Sequence, residues 1–157
     1  MTTIELADAD ATARLGEALA HSRPAHAVVH LRGDLGAGKS TLARALLRAL
    51  GVTGTIRSPT YTLVERYPLP GGGEAWHLDL YRIGDPGELE FLGLDADEVT
   101  LWLVEWPERG RGALPAADLV VDLAVAGEGR RAELRPTTSR GQAWVGAAFR
   151  HRVGADS

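Results

Sequence analysis

The most constraining feature of this chain is a glycine-rich octapeptide between a predicted buried strand and a predicted amphipathic helix. Residues 33–40 read GDLGAGKS and fit the pattern G-x-x-x-x-G-K-[ST]. The preceding segment 27–31, AVVHL, is short and apolar, as is typical of a strand buried on both faces of a parallel sheet. Apolar residues recur at three- and four-residue spacing over 39–50, and Gly51 follows where glycine often ends a helix. A strand, a glycine turn and a helix in this order predict a phosphate-binding loop.

The residue types in this loop predict a specific chemistry. Glycines let successive backbone N–H groups point inward, and the helix N-terminus adds partial positive charge, so the loop can hold a polyphosphate. Lys39 is expected to reach the β- and γ-phosphates, and the hydroxyl of Ser40 is expected to ligate Mg²⁺, which prefers oxygen ligands. Lys39 is also the only lysine beside sixteen arginines. The alternative, that the loop is only a glycine-rich turn, leaves this single lysine unexplained.

Two carboxylates are candidates for the metal site and for catalysis. Glu105 follows the apolar run 101–104, and Asp79 follows 76–78 (WHL) inside a less uniformly apolar strand. A phosphate-binding loop of this kind needs a carboxylate at the end of a neighbouring strand to hold magnesium. We therefore expect Glu105 to ligate Mg²⁺ and Asp79 to have a catalytic role, although the pattern leaves open which of the two dominates metal binding.

Three further residues receive an interpretation from their position. Thr60, in the tetrapeptide SPTY, lies about twenty residues past Lys39, where many such proteins place a loop that responds to the γ-phosphate. His77 is assigned to the strand face opposite Asp79 and is interpreted as structural. Trp106, directly after Glu105, is kept as a candidate site or interface residue.

Composition excludes several classes of protein. The chain of 157 residues has a formal net charge of -4, which argues against the basic surface that nucleic-acid binders use. Cysteine is absent, so disulfides, thiolate zinc sites and cysteine nucleophiles are excluded. Asparagine is also absent, and guanine-specific switch proteins use an asparagine-containing motif, so adenosine nucleotides are favoured. No signal peptide or membrane span is recognisable, which predicts a cytoplasmic protein.

The remaining pattern predicts an α/β fold. We expect strands at 2–6, 27–31, 61–67, 76–83, 101–104, 119–125 and 131–135, and helices from Asp8 or Asp10 to about His21, over 39–50, and from Asp85 to 92. The strands at 61–67 with 76–83, and at 119–125 with 131–135, are expected to form hairpins. Residues 1–150 are predicted to form one domain, with a disordered tail at 151–157.

Four motifs in this order resemble those of the TsaE (YjeE) family. They are GDLGAGKST (33–41), SPTYTLVE (58–65), HLDLYR (77–82) and EWPE (105–108), and the resemblance covers about residues 27 to 135. Members of this family are small bacterial P-loop ATPases required for threonylcarbamoyladenosine in tRNAs that read codons beginning with A. The resemblance implies a P-loop NTPase fold, with a mostly parallel central sheet, helices on both faces and antiparallel hairpin strands at the edge.

The resemblance also implies roles for particular residues. Lys39, Thr60, Asp79 and Glu105 would have catalytic or switch roles, and Ser40 and Glu105 would ligate Mg²⁺. The implied ATP contacts are Ala9, Gly33, Gly36, Ala37, Gly38, Lys39, Ser40, Thr41 and Arg130. A functional role for Trp106 is implied as well.

The implied activity is that of an accessory ATPase. ATP hydrolysis would be coupled to a complex of the proteins TsaB and TsaD, with tRNA contacted only through that complex and with neither DNA nor a membrane as partner. Two alternatives use the same loop: a small-molecule kinase, and a nucleotide-dependent binding module without turnover. A kinase needs an acceptor pocket and usually a lid, and the sequence has no separate lid insertion between Glu105 and Leu123.

Overall fold

The computed structural model describes residues 1–93 and 97–156. Over these residues the chain forms a seven-stranded sheet, three α-helices and two 3₁₀ helices. The strands are β1 (Thr2–Leu6), β2 (Ala27–Arg32), β3 (Val64–Pro68), β4 (Glu74–Asp79), β5 (Val99–Glu105), β6 (Leu119–Ala126) and β7 (Gly129–Pro136). The helices are α1 (Ala9–His21), α2 (Lys39–Ala49) and α3 (Ser139–Asp156), with 3₁₀ turns at Pro86–Leu92 and Pro107–Gly110. Among these helices, none combines the length and the apolar character needed to cross a bilayer.

The sheet has a parallel centre and antiparallel edges. Its strand order is β1-β7-β6-β2-β5-β4-β3. β2 is parallel to both of its neighbours, β5 and β6, and β4 is parallel to β5. The hairpins β3–β4 and β6–β7 are antiparallel, and β1 pairs with β7 to form one edge. The predicted α/β class and mixed topology are therefore confirmed, with β1 at one edge beside the β6–β7 hairpin and β3 at the other.

Helical segments cover both faces of the sheet, but they are divided unevenly. All three α-helices pack on one face, where Leu15 of α1, Leu46 of α2 and Trp144 of α3 belong to the same buried core. The opposite face is covered by the two 3₁₀ helices and contains a smaller core around Trp76 and Trp102, whose ring centroids are 5.2 Å apart. Because side chains alternate along β4 and β5, residues on the α-helical face can meet the loop that begins α2.

Two predicted strands are shorter in the structure than in the sequence pattern. β3 begins at Val64 rather than at residue 61, because Leu63 has a positive φ of 69° and its N–H closes a turn onto the carbonyl of Pro59. β4 ends at Asp79, because the Asp79 carboxylate accepts a hydrogen bond from the N–H of Tyr81 at 3.0 Å. Asp79 is therefore the last residue of β4, and Thr60 lies in the turn that precedes β3.

The sequence pattern missed the last helix. Gly141, Trp144 and Ala148 of α3 are buried at helical spacing, and Trp144 Nε1 donates to the carbonyl of Leu19 at 2.9 Å. Thr138 precedes the helix, and its hydroxyl accepts from the N–H of Gly141, as at a helix N-cap. The backbone is helical through Asp156, whereas the predicted domain limits, 1–150 with a disordered tail at 151–157, stay a prediction.

Candidate nucleotide-binding site

The predicted phosphate loop joins the end of β2 to the start of α2. Gly38, the residue before α2, has a φ of +105°, and no side chain caps the first turn of the helix. The first N–H groups of an α-helix lack intrahelical partners, so these donors are available to a ligand. Gly33 has a φ of +146°, and a Cβ at this position would collide with the carbonyl of Leu123. The glycines thus allow both the turn and the close approach to β6.

Lys39 is held against the loop from which it extends. Its side chain is almost buried, and Nζ donates to the carbonyl of Gly33 at 2.5 Å and to that of Asp34 at 3.0 Å. The same ammonium lies 4.6 Å from the ring centroid of Trp106, within the range of a cation–π contact. The charged end of Lys39 is therefore fixed over the loop by two carbonyls and one aromatic face.

Ser40 and Glu105 form a pair of oxygen donors beside Lys39. Ser40 Oγ lies 3.1 Å from both carboxylate oxygens of Glu105, and only 2% of Glu105 is exposed. Among the described residues, no group of three histidine, aspartate or glutamate side chains is arranged to hold a metal. Mg²⁺ commonly takes one or two protein oxygens together with water and substrate phosphates. The hydroxyl and carboxylate of this pair fit that requirement.

Asp79 lies next to Glu105, because the two residues are register partners on the parallel strands β4 and β5. Asp79 Oδ2 accepts a hydrogen bond from Thr60 Oγ1 at 3.4 Å, and Thr60 Oγ1 is 2.7 Å from Ser58 Oγ. The N–H of Asp79 also donates to the carbonyl of Leu63 at 3.0 Å. The segment that contains Thr60 is thus attached to the end of β4 by one side-chain and one backbone hydrogen bond.

The predicted residues converge on one cavity of about 370 Å³ at the carboxyl ends of the central strands. Its walls include Ala9, Gly36, Gly38, Lys39, Ser40, Thr41, Thr60, Asp79, Glu105, Trp106 and Arg130. Arg130 reaches the loop directly, since its Nε donates to the carbonyl of Gly36 at 3.2 Å. The cavity therefore has cations at the loop and carboxylates at the ends of β4 and β5.

Two predicted contact residues do not line the cavity. Gly33 faces β6, and the methyl group of Ala37 is buried in the core. Their contact with a ligand stays a prediction. Six lining residues were absent from the sequence-based set: Leu6, Asp8, Thr12, Leu35, Glu128 and Gly129. Apart from its role as helix cap, Asp8 offers no signal in the sequence that would have placed it at the cavity.

The assignment of His77 to the face opposite Asp79 is wrong. Residues two apart on a strand share a face, so His77 and Asp79 both point toward the α-helical side. His77 Nε2 lies 2.6 Å from Glu105 Oε2, and both side chains are buried. Strand alternation alone would have placed His77 beside the two candidate carboxylates.

Trp106 has a backbone conformation that is rare for a bulky residue. Its φ is 57° and its ψ is 50°, in the left-handed region. At this turn the Trp106 ring lies against the ammonium of Lys39 and against the ring of Tyr81, with 4.9 Å between the two ring centroids. Sequence reasoning singled out Trp106, but only the structure shows that it contacts the lysine.

Comparisons with known proteins identify the family of this chain. A family model described as "Threonylcarbamoyl adenosine biosynthesis protein TsaE" matches residues 6–133. The chain is similar to the tRNA threonylcarbamoyladenosine biosynthesis protein TsaE of Haemophilus influenzae, with 44% identity over 76% of this chain and 77% of the relative. It is also similar to the TsaE protein of Nostoc sp., with 41% identity over 87% of this chain and 86% of the relative.

A solved structure has the same fold. The crystal structure of YdiB from Bacillus subtilis superposes with a TM-score of 0.80 and 25% sequence identity, over 96% of this chain and 95% of that chain. The sequence matches extend from β1 into β7 and include every strand of the site. The chain therefore belongs to the TsaE family of tRNA threonylcarbamoyladenosine biosynthesis proteins.

Proposed function

We propose that this chain binds ATP with Mg²⁺ and hydrolyses it as an accessory ATPase of tRNA threonylcarbamoyladenosine synthesis, acting with TsaB and TsaD in the cytoplasm. One observation carries the nucleotide part of this proposal. The lysine and serine of the phosphate loop share a single cavity with carboxylates from two neighbouring parallel strands. Ligands of open α/β sheets bind at this carboxyl edge.

The residues divide the chemistry among them. Backbone N–H groups at the start of α2 and the ammonium of Lys39 would bind the phosphates, and Arg130 would contact the nucleotide beside Gly36. Ser40 and Glu105 would hold Mg²⁺, which offsets the negative charge on the β- and γ-phosphates when bound. Asp79 and Thr60, joined by a hydrogen bond, would orient the attacking water.

Lys39 must exchange partners when a nucleotide binds. In the structure its ammonium is bound to the carbonyls of Gly33 and Asp34. Phosphate oxygens are stronger acceptors for an ammonium than carbonyl oxygens, because both partners then carry charge. The proposed site therefore holds the lysine in reach of a phosphate without leaving its charge unpaired beforehand.

Titration calorimetry with Mg-ATP tests nucleotide binding. Lys39→Ala removes charged hydrogen bonds worth about 1.5–3 kcal/mol each, so affinity should fall at least about 100-fold. The matched control is Arg44→Ala, which removes an exposed cation from the same helix outside the cavity and should bind like the native chain. Equal affinity of the native and Lys39→Ala proteins would contradict the proposal.

Turnover assays test the accessory role. Phosphate release should rise when TsaB and TsaD are added, and reconstituted tRNA modification should require the native chain and fail with Lys39→Ala. Phosphate transfer to a hydroxyl compound would instead indicate a small-molecule kinase. Binding without turnover, alone or with the partners, would indicate a nucleotide-dependent binding module.

A further inference from the structure

The strongest contact in the site that the proposed function leaves without a role is the one between His77 and Glu105. We propose that His77 is a positioning residue that sets the orientation of the Glu105 carboxylate for divalent-cation ligation. This inference rests on the proposed function, because it concerns the same metal site. It assigns the histidine to the metal site rather than to the core alone.

The position of His77 follows from the register of two strands. β4 and β5 are parallel, with His77 opposite Leu103 and Asp79 opposite Glu105. His77 therefore lies one residue pair behind the two carboxylates on the same face, and only 2% of it is exposed. From this place the imidazole reaches the carboxylate of Glu105 from the interior of the sheet.

The hydrogen bond between them is short and excluded from solvent. His77 Nε2 lies 2.6 Å from Glu105 Oε2, and each side chain is 3% exposed. A hydrogen on Nε2 donates to the carboxylate, whereas its absence would bring an imidazole lone pair against a carboxylate lone pair. The other ring nitrogen, Nδ1, is buried and has no partner among the described residues. A hydrogen on Nδ1 would therefore be a buried unpaired donor, and the Nε2–H form is favoured.

The contact with His77 fixes the orientation of the Glu105 carboxylate, which the contact with Ser40 does not. Ser40 Oγ is 3.1 Å from both carboxylate oxygens and so does not distinguish them. His77 contacts Oε2 only. This hydrogen bond therefore holds Oε2 in the interior of the protein. Oε1 then has Ser40 as its only hydrogen-bond partner among the described residues. Outer hydrogen bonds of this kind orient metal-ligating carboxylates, and their loss typically costs about 10–100-fold in metal affinity or activity.

A purely structural role predicts different behaviour. If His77 only filled the core and neutralised a buried charge, its replacement would lower the free energy of unfolding and change nucleotide binding equally with and without metal. A positioning role predicts a change confined to the metal dependence. The two explanations are separated by measuring Mg²⁺ dependence and stability on the same variants.

The experiment measures ATP binding by calorimetry at a series of Mg²⁺ concentrations and in excess chelator, with thermal unfolding recorded in parallel. For His77→Leu, the Mg²⁺ concentration that gives half of the maximal increase in ATP affinity should rise about 10–100-fold. Binding in chelator should be unchanged. His77→Gln should keep most of the native Mg²⁺ dependence, because the terminal amide of glutamine can donate from nearly the position of the histidine Nε2. His30→Leu is the matched control, since His30 lies on β2, on the other side of β5 from His77, and does not line the cavity.

The outcomes separate this inference from the proposed function. A native chain that binds no Mg-ATP overturns both. If the native chain binds Mg-ATP but His77→Leu has the native Mg²⁺ dependence, only the positioning role is overturned. The same holds if His77→Leu loses ATP affinity equally in chelator and in Mg²⁺.

A second measurement needs no substitution, and it decides the case if His77→Leu does not fold. Nitrogen-15 NMR of the native chain should find the His77 hydrogen on Nε2. A hydrogen on Nδ1 alone would refute the donation to Glu105.

Discussion

The backbone at Trp106 provides a test of whether strain is stored beside the metal-site carboxylate. Trp106 is one of two non-glycine residues with positive φ among the described residues, the other being Leu63. A left-handed conformation costs an ordinary L-residue about 1–2 kcal/mol, and glycine adopts it freely. Alanine and glycine at position 106 both remove the indole ring, so their comparison isolates the backbone contribution.

The expected difference in the free energy of unfolding between the two variants follows from the contacts of Trp106 and from its φ angle. Either truncation loses the cation–π contact with Lys39, about 0.5–1 kcal/mol, and the aromatic contact with Tyr81, about 0.5–1.5 kcal/mol. Trp106→Ala keeps the left-handed penalty, whereas Trp106→Gly removes it. Glycine costs about 0.5–1 kcal/mol more in chain entropy. We therefore expect Trp106→Gly to be the more stable variant by about 0.5–1 kcal/mol.

Urea denaturation measures this difference. With a slope of about 2 kcal/mol/M for a domain of this size, the two midpoints should differ by about 0.3–0.5 M. Val125 is the control site, because it is 60% exposed and lies on the extended strand β6. There the order should reverse, with Val125→Ala more stable than Val125→Gly. If Trp106→Ala is as stable as Trp106→Gly, the strain argument is refuted.

Three further predictions concern the site and its surroundings. Thr60→Ala should leave ATP affinity within about twofold and slow turnover by about 100-fold, which steady-state phosphate release measures, and a native rate would remove Thr60 from the mechanism. Glu105→Ala should raise the Mg²⁺ requirement of ATP binding by more than about 100-fold, beyond the usual effect of an outer hydrogen-bond partner; if Asp79→Ala does so instead, the two carboxylate roles are exchanged. Burial lowers the pKa of His30 below its ordinary value of 6.5, so unfolding takes up a proton, and the free energy of unfolding should decrease as pH falls below about 6.5. His30→Gln should flatten that decrease in urea denaturation at pH 5–8, and an unchanged slope would assign it to other groups.

Much of the fold was predictable because its signals are local. The strand before Gly33, the glycines of the loop and the amphipathic pattern of α2 lie within 25 consecutive residues and appear in the structure as predicted. The helix α3 was missed because its buried residues, Gly141, Trp144 and Ala148, are interrupted by other small or apolar side chains. Its packing against α1 is a long-range contact that spacing along the sequence does not reveal.

The candidate site was predictable in its residue types more than in its contacts. The sequence indicated Asp79 and Glu105 as candidate carboxylates, but their position side by side follows from the parallel pairing of β4 with β5. The hydrogen bond from His77 to Glu105 depends on the register of β4 against β5. A shift of one residue would turn His77 to the other face.

The sequence by itself determined the phosphate loop, because glycine conformations, a helix start and a lysine act over a few residues of chain. The tertiary structure alone decided which side chains surround that loop. The pairing of His77 with Glu105 and the stacking of Trp106 on Lys39 join residues 28 and 67 positions apart in the chain. Such contacts arise only when strands pair in one register and a strained turn is held by packing, and both are properties of the folded sheet.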